Sequence, residues 1–145
     1  MRRGVWLLAA VSVASLSLLF VGQLAAKDRG QNWKEIEPDP AIREWYAKQV
    51  MPDATFSPCC GEGDAYYADA FEDKDGRFYA IITDERDDKP LKRFHVDVGT
   101  RIEIPKHKFN GQERGPNITG HGIVFLQVEV NGILRVLCYF PPVLT

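Results

Sequence analysis

The sequence predicts a mainly β protein of the α+β class: a small, bent antiparallel sheet or partly open barrel, with one N-terminal amphipathic helix packed on it. Short apolar runs separated by turn-forming residues fill the chain from about residue 65 onward. Asn131-Gly132 lies between two apolar runs, which is typical of a tight β-hairpin. A helical spacing of apolar residues is strongest at about residues 40–50. One helix and several short strands are therefore expected.

The first 26 residues have the pattern of a secretory signal peptide. Arg2-Arg3 is followed by 23 uncharged residues, Gly4 to Ala26, and small residues precede Lys27. The uncharged run is also long enough to span a hydrocarbon core of about 30 Å, so a retained signal anchor is the alternative. Either way, the rest of the chain is predicted to be exported, in the periplasm or outside the cell. It would be attached to the membrane only if the segment is retained.

A polar linker at residues 27–38 precedes a single globular domain at 39–145. Asp39-Pro40 has the composition of a helix start, with Asp as N-cap and Pro at the first helical position. Four apolar residues then fall on one face of a helix that ends before Pro52. They are Ile42, Trp45, Tyr46 and Val50. Trp45 is therefore expected in the core.

The strands follow in order, separated by polar turns and loops. They are predicted at about residues 65–71, 77–83, 93–98, 100–104, 123–130 and 133–140. The stretch 94–104 alternates apolar and polar residues, as a strand with one wet face does. Asn131-Gly132 predicts a type I′ turn, which pairs Phe125 with Cys138. The acidic run at 84–88 is interpreted as a solvated turn.

The last hairpin is apolar on both faces far from its turn, so it needs cover on both sides. Cys138 is predicted to face apolar neighbours that include Val136. The helix at 40–50 is the expected cover on one side. This requirement favours a strongly bent sheet.

Composition excludes several classes of protein. The 145 residues include 18 basic and 20 acidic side chains, a formal charge of −2, which is too even for a nucleic-acid binder with a basic stripe. Apolar residues make up 45% of the chain and charged residues 26%, which does not fit a disordered protein. The expected partner is an unidentified ligand or protein of the cell envelope, and no cofactor is assigned.

The chain has three cysteines, Cys59, Cys60 and Cys138. Because thiols pair in an oxidising compartment, a disulfide is expected. Neighbouring cysteines lie about 3.8 Å apart at Cα, below the usual minimum of roughly 4.4 Å. The predicted bond therefore joins Cys60 to Cys138, with Cys59 nearly as suitable a partner.

The cysteine left over carries the catalytic alternative. Cys59, or Cys60 in its place, as nucleophile and His121 as base would form a thiol-dependent enzyme or redox site, since imidazole can withdraw the thiol proton. His121 lies between two glycines just before a predicted strand, and this order resembles that of cell-wall cysteine peptidases. Cys59, Cys60, His121 and Cys138 would suit copper or zinc by ligand type, although their spacing matches no usual metal motif.

Several short motifs resemble those of an uncharacterised family of small exported proteins of alphaproteobacteria, which carry a Cys-Cys-Gly-Glu-x-Asp-Ala motif. The motifs are Cys59-Cys60-Gly61-Glu62-Gly63-Asp64-Ala65-Tyr66, Ile81-Ile82-Thr83-Asp84, Val98-Gly99-Thr100-Arg101-Ile102, Thr119-Gly120-His121-Gly122 and Cys138-Tyr139. The resemblance implies a bacterial exported protein and no particular activity. The sequence therefore favours a non-catalytic envelope binding or structural module over the thiol enzyme and the copper or zinc protein.

Overall fold

The computed structural model describes residues 39–110 and 115–143. The predicted signal segment at 1–26 and linker at 27–38 lie outside the described residues. None of the helices in the described ranges combines the length and the apolar character needed to cross a membrane.

Helix α1 spans Pro40–Lys48 and confirms the predicted helix, although Val50, predicted on its apolar face, lies beyond its end in a strand. The side chain of Asp39 caps it by accepting a hydrogen bond from the amide of Ala41 at 2.8 Å. Trp45 and Tyr46 form its buried face. The ring of Trp45 meets Phe140 edge-on at 5.2 Å, so Trp45 packs in the core as expected.

Seven strands form two antiparallel sheets within the described residues. They are β1 (Val50–Met51), β2 (Ala54–Pro58), β3 (Ala65–Glu72), β4 (Phe78–Ile82), β5 (Arg101–Ile104), β6 (Ile123–Val128) and β7 (Leu134–Phe140). The first two form a small sheet, and the others form one sheet in the order β5-β4-β3-β6-β7. Short helical segments lie at Glu62–Asp64 (3₁₀), Asp88–Leu91 (α2) and Lys106–Lys108 (3₁₀).

The five-stranded sheet curls into a half-barrel, which confirms the predicted fold. Its two outer strands approach each other through the segment after β5: Phe109 forms a single parallel bridge with Tyr139. The amide of Asn110 donates to the Tyr139 carbonyl at 2.8 Å. A partly closed sheet of this kind has a concave inner face and an outer face that needs cover.

The core accordingly has two parts, one on each face of the sheet. The helix-side cluster includes Trp45, Tyr46, Cys59, Cys60, Ala65, Ile123, Phe125, Leu137, Cys138 and Phe140. The barrel-side cluster includes Tyr66, Ala68, Ala80, Ile82, Val96, Ile102, Ile104, Val124, Leu126, Val136 and Tyr139. The two-sided burial expected of the last hairpin is therefore present.

The turn of that hairpin differs from the predicted type I′ turn. Among the described non-glycine residues only Cys60 and Lys92 have positive φ, so Asn131 lacks the conformation that type I′ requires. The Glu129 carbonyl accepts from the Gly132 amide at 2.8 Å, and Gly132 has φ of 80°. This is a three-residue loop with glycine in the left-handed position, the next most common hairpin connection.

A bulge in β7 restores the expected pairing further along. Phe125 pairs with Cys138 as predicted, but Leu126 pairs with Val136, so Leu137 is an extra residue. Leu137 and Cys138 therefore both contribute to the helix-side cluster, while Val136 belongs to the barrel-side cluster. The expectation that Val136 shares a face with Cys138 was wrong for this reason.

The strand predicted at 93–98 is an irregular segment. Its side chains form ion pairs: Arg93 contacts Asp84 and Asp88, and His95 contacts Asp88 and Asp97. The alternation that suggested a strand does not match burial: Val96 is buried, whereas Phe94 and Val98 are 47% and 56% exposed.

Candidate functional site

The cysteines were the first predicted site, and the structure joins Cys59 to Cys138 with a Cα separation of 5.9 Å. A disulfide to Cys138 is therefore confirmed, but the choice of Cys60 as its partner was wrong. The amide of Cys59 donates to the Gln49 carbonyl at 2.9 Å, which fixes this cysteine in the helix-side cluster. In the bonded form Cys59 has no thiolate to act as a nucleophile.

Cys60 is the cysteine outside the disulfide. Its backbone is left-handed, with φ of 81°, which is uncommon for a residue other than glycine. The side chain is buried in the helix-side cluster, and its thiol lies 3.8 Å from the Pro58 carbonyl in donating geometry. Because reactive cysteines are usually partly exposed, this burial favours a structural role.

His121 is exposed on the loop before β6. The buried side chain of Asn117 shapes this loop: its amide donates to the His121 carbonyl at 2.6 Å, and its oxygen accepts from the Thr119 hydroxyl at 2.7 Å. The imidazole stacks on the ring of Tyr67, with centroids 4.1 Å apart and planes 10° from parallel. A catalytic role for His121 with a thiol stays a prediction.

Arg86 also stacks on Tyr67, with its guanidinium carbon 3.9 Å from the ring centre. Two groups this close to one ring centre would overlap on the same face, so they lie on opposite faces. The result is a three-layer stack of Arg86, Tyr67 and His121 along β3.

The metal alternative finds no support in residues 39–110 and 115–143. These ranges contain no group of three or more His, Cys, Asp or Glu side chains arranged to hold a metal ion.

Asp84 belongs to a buried ion-pair network that contacts β3. The interpretation of residues 84–88 as a solvated turn was therefore wrong. The Asp84 side chain is fully buried and contacts Arg86 at 2.8 Å and Arg93 at 2.5 Å. It also accepts a hydrogen bond from the Tyr67 amide at 3.0 Å. Arg93 and Arg86 both donate to the Ala65 carbonyl, at 3.2 and 3.1 Å. Burial raises the pKa of Asp84, but hydrogen bonds from the two arginines outweigh it and hold the pKa well below its usual range.

His95 extends this network to the surface. Its Nδ1 lies 2.6 Å from Asp88 and its Nε2 lies 3.0 Å from Asp97. Hydrogen bonds to Asp88 and then Asp97 raise the pKa of His95. Both ring nitrogens contact carboxylates, so the imidazolium form is favoured and neither nitrogen is set up as a general base.

A cleft of about 510 Å³ opens on the other half of β3, and none of the predicted site residues lines it. β3 pairs with β6 only over Ala65–Tyr67, whereas it pairs with β4 as far as Glu72. Residues 69–72 therefore have β4 on one side and the cleft on the other. We call this the aromatic cleft. Its apolar lining consists of Phe71, Phe78, Phe109, Tyr139, Pro141 and Pro142.

The rings of the cleft pack in a continuous row. Phe78 and Phe109 have centroids 5.2 Å apart, and Phe109 and Tyr139 have centroids 5.1 Å apart. Two carboxylates, Asp69 and Glu72, complete the lining. The volume lies within the range of sites that hold small organic ligands, which are also mostly apolar with a few polar groups.

Tyr139 places a polar atom beneath this apolar surface. The residue is fully buried, and its hydroxyl has no hydrogen-bond partner among the described residues. A Cβ atom added at Gly122 would lie 2.8 Å from this hydroxyl, so the glycine leaves room for it. Burial, followed by the charge of Asp69, raises the pKa of Tyr139 to about 12. The hydroxyl is therefore protonated near neutral pH and remains a donor.

Comparison of the chain with protein-family models, with curated proteins and with solved structures finds no match. The geometry of the two halves of β3 is therefore the basis for proposing a function.

Proposed function

We propose that this protein is an exported, non-catalytic binding module that holds a small ligand with an apolar body in the aromatic cleft. The observation that carries the proposal is the cleft itself, a 510 Å³ opening lined by a row of aromatic rings. Open apolar surface of this kind commonly marks a binding site.

The contacts of the candidate catalytic side chains support binding more than catalysis. His95 is held between two carboxylates, His121 stacks on Tyr67, and Cys59 is bonded to Cys138. Each of these groups is engaged in a structural contact, whereas a catalytic base or nucleophile must be positioned toward a substrate.

Export is supported by the N-terminal sequence pattern and by the disulfide, which is compatible with an oxidising compartment. N-terminal sequencing of protein recovered from the periplasm or medium should give a start near Lys27. A full-length protein confined to the cytosol would contradict export.

The binding function is tested with 2-phenylethanol, a soluble probe with one aromatic ring. We expect its titration to shift the NMR signals of Phe109 and Tyr139 with a Kd of about 1 mM, as expected for so small a ligand. Phe109→Ala should weaken binding by about two- to tenfold, because one ring contact is worth roughly 0.5–1.5 kcal/mol.

Phe56→Ala is the matched control, because this phenylalanine is fully exposed on β2 and does not line the cleft. It should leave the Kd unchanged. If the probe shifts no cleft signals, or if the two variants weaken it equally, the cleft is not the binding site.

A further inference from the structure

We propose that the ligand of the aromatic cleft is an organic cation, with an ammonium head group on a small apolar body. This inference rests on the binding function proposed above and adds the charge of the ligand. It is carried by two independent features of the lining, its aromatic rings and its acidic rim.

The rings supply the first attraction. A cation within about 6 Å of an aromatic ring centre is attracted by the negative charge on the face of the ring. Phe78, Phe109 and Tyr139 have centroids spaced by 5.2 and 5.1 Å, so a head group in the cleft would lie near more than one of them. Phe71 also lines the cleft, but its ring packs on Tyr79, with centroids 5.6 Å apart, and is not part of this row.

The charged residues of the lining supply the second attraction for a cation. Both charged residues of the lining, Asp69 and Glu72, are acidic, and the lining contains no basic residue. Within residues 39–110 and 115–143, neither carboxylate forms an ion pair. An anionic ligand would meet two like charges, whereas a cation would find two carboxylates that form no ion pair with another described residue.

Arg101 carries a positive charge, opposite in sign to the charges of Asp69 and Glu72. It lies outside the lining, with its guanidinium carbon 3.7 Å from the ring centre of Tyr79 and 5.0 Å from that of Phe71. Its positive charge reduces the pull of the rim on a cationic ligand. Removing that charge should therefore strengthen binding of a cation, which gives the test a variant of opposite sign.

The experiment compares three ligands that share one phenylethyl body: 2-phenylethylammonium, 2-phenylethanol and 3-phenylpropanoate. They are titrated into the disulfide-bonded protein at pH 7 and low ionic strength, with binding followed by NMR. We expect the ammonium to bind about fivefold more tightly than the alcohol, and the carboxylate to bind most weakly. Since the rim is exposed, salt should reduce the preference.

The double variant Asp69→Asn/Glu72→Gln should bring the ammonium to within about twofold of the alcohol, and Arg101→Gln should tighten the ammonium by about twofold. Asp75→Asn is the control, because this exposed carboxylate lies in the β3–β4 turn and does not line the cleft. It should leave the preference unchanged.

The outcomes separate the two proposals. Equal binding of ammonium and alcohol, or tightest binding of the carboxylate, would overturn the inference of a cation and leave the binding function standing. Failure of all three ligands to shift cleft signals would overturn both. A preference for ammonium that survives loss of both rim carboxylates would also refute the argument from the acidic rim.

Discussion

Replacing Asp84 with asparagine tests whether the buried ion pairs organise the domain. The Asp84 side chain is fully buried and Arg93 is 2% exposed, with 2.5 Å between them. Asparagine keeps the shape but removes the charge, which leaves Arg93 with Asp88 as its remaining acidic partner. Breaking a buried pair from one side costs about 3–5 kcal/mol of unfolding free energy, and the contact with Asp88 favours the lower end.

The assay is urea unfolding followed by tryptophan fluorescence, since Trp45 is buried in the helix-side cluster. Asp75→Asn is the matched control: its carboxylate is 75% exposed and lies 3.2 Å from Arg77. An exposed pair contributes at most about 1 kcal/mol. If both variants lose less than about 1 kcal/mol, the Asp84 network does not contribute the stability expected of a buried ion pair.

The same network predicts the direction of the pH dependence. The folded-state pKa of Asp84 is lowered, so between this pKa and the unfolded value of about 3.9 the unfolded chain binds more protons. Its contribution is therefore present above the unfolded pKa and is lost as pH falls through the folded pKa. Asp84→Asn should flatten the rise of stability with pH in this acid range, and an unchanged slope would show that other carboxylates dominate it.

Three further variants test the packing around β3 and β7. Tyr139→Phe should leave the melting temperature unchanged or raise it, since the lost hydroxyl has no partner among the described residues. Tyr66→Phe should lower the free energy of unfolding by about 1 kcal/mol, because the Tyr66 hydroxyl donates to the Phe94 carbonyl at 2.6 Å. Equal losses in the two would contradict this assignment. Gly122→Ala should lower stability by about 1–3 kcal/mol, measured by urea unfolding, because the added Cβ would overlap the Ala68 carbonyl; a neutral result would mean that the loop moves freely. Peptide mapping without reduction should yield a peptide linked through the Cys59–Cys138 bond, and reduction should cost about 4–5 kcal/mol for a sequence separation of 79; a Cys60-linked peptide would refute the pairing.

The predicted elements that the structure confirms depend on local sequence. Asp39-Pro40 determines the start of α1, and the apolar runs determine β3, β4, β6 and β7. The failures depend on distant contacts. The polar residues of the alternating stretch at 93–98 include Arg93 and His95, which pair with Asp84 and Asp88. The bulge at Leu137 is visible only in the register of β6 and β7.

The candidate site could not be predicted from the sequence, because it also depends on distant contacts. A disulfide to Cys138 followed from composition and compartment, but the choice between its two adjacent partners depends on the left-handed backbone at Cys60. The rings of the aromatic cleft come from four separate segments of the chain, and each one alone fits an ordinary core residue. Pro141 and Pro142 after the last strand were the one local signal, because proline cannot donate a hydrogen bond to a neighbouring strand.

The two halves of β3 explain how so small a domain can hold an open cleft. The first half is fixed on every side: β6 pairs with it, Arg86 and Arg93 hold the Ala65 carbonyl, and Asp84 accepts from the Tyr67 amide. The second half extends past β6 with β4 as its paired neighbour. Because the first half of β3 is anchored by these contacts, the second half can border an open cleft without being covered by other parts of the chain. The cleft is then preorganised, so a ligand would not have to order it on binding. On this argument the buried ion pairs serve the binding site from the opposite end of the same strand, and loss of Asp84 should weaken ligand binding even where the domain remains folded.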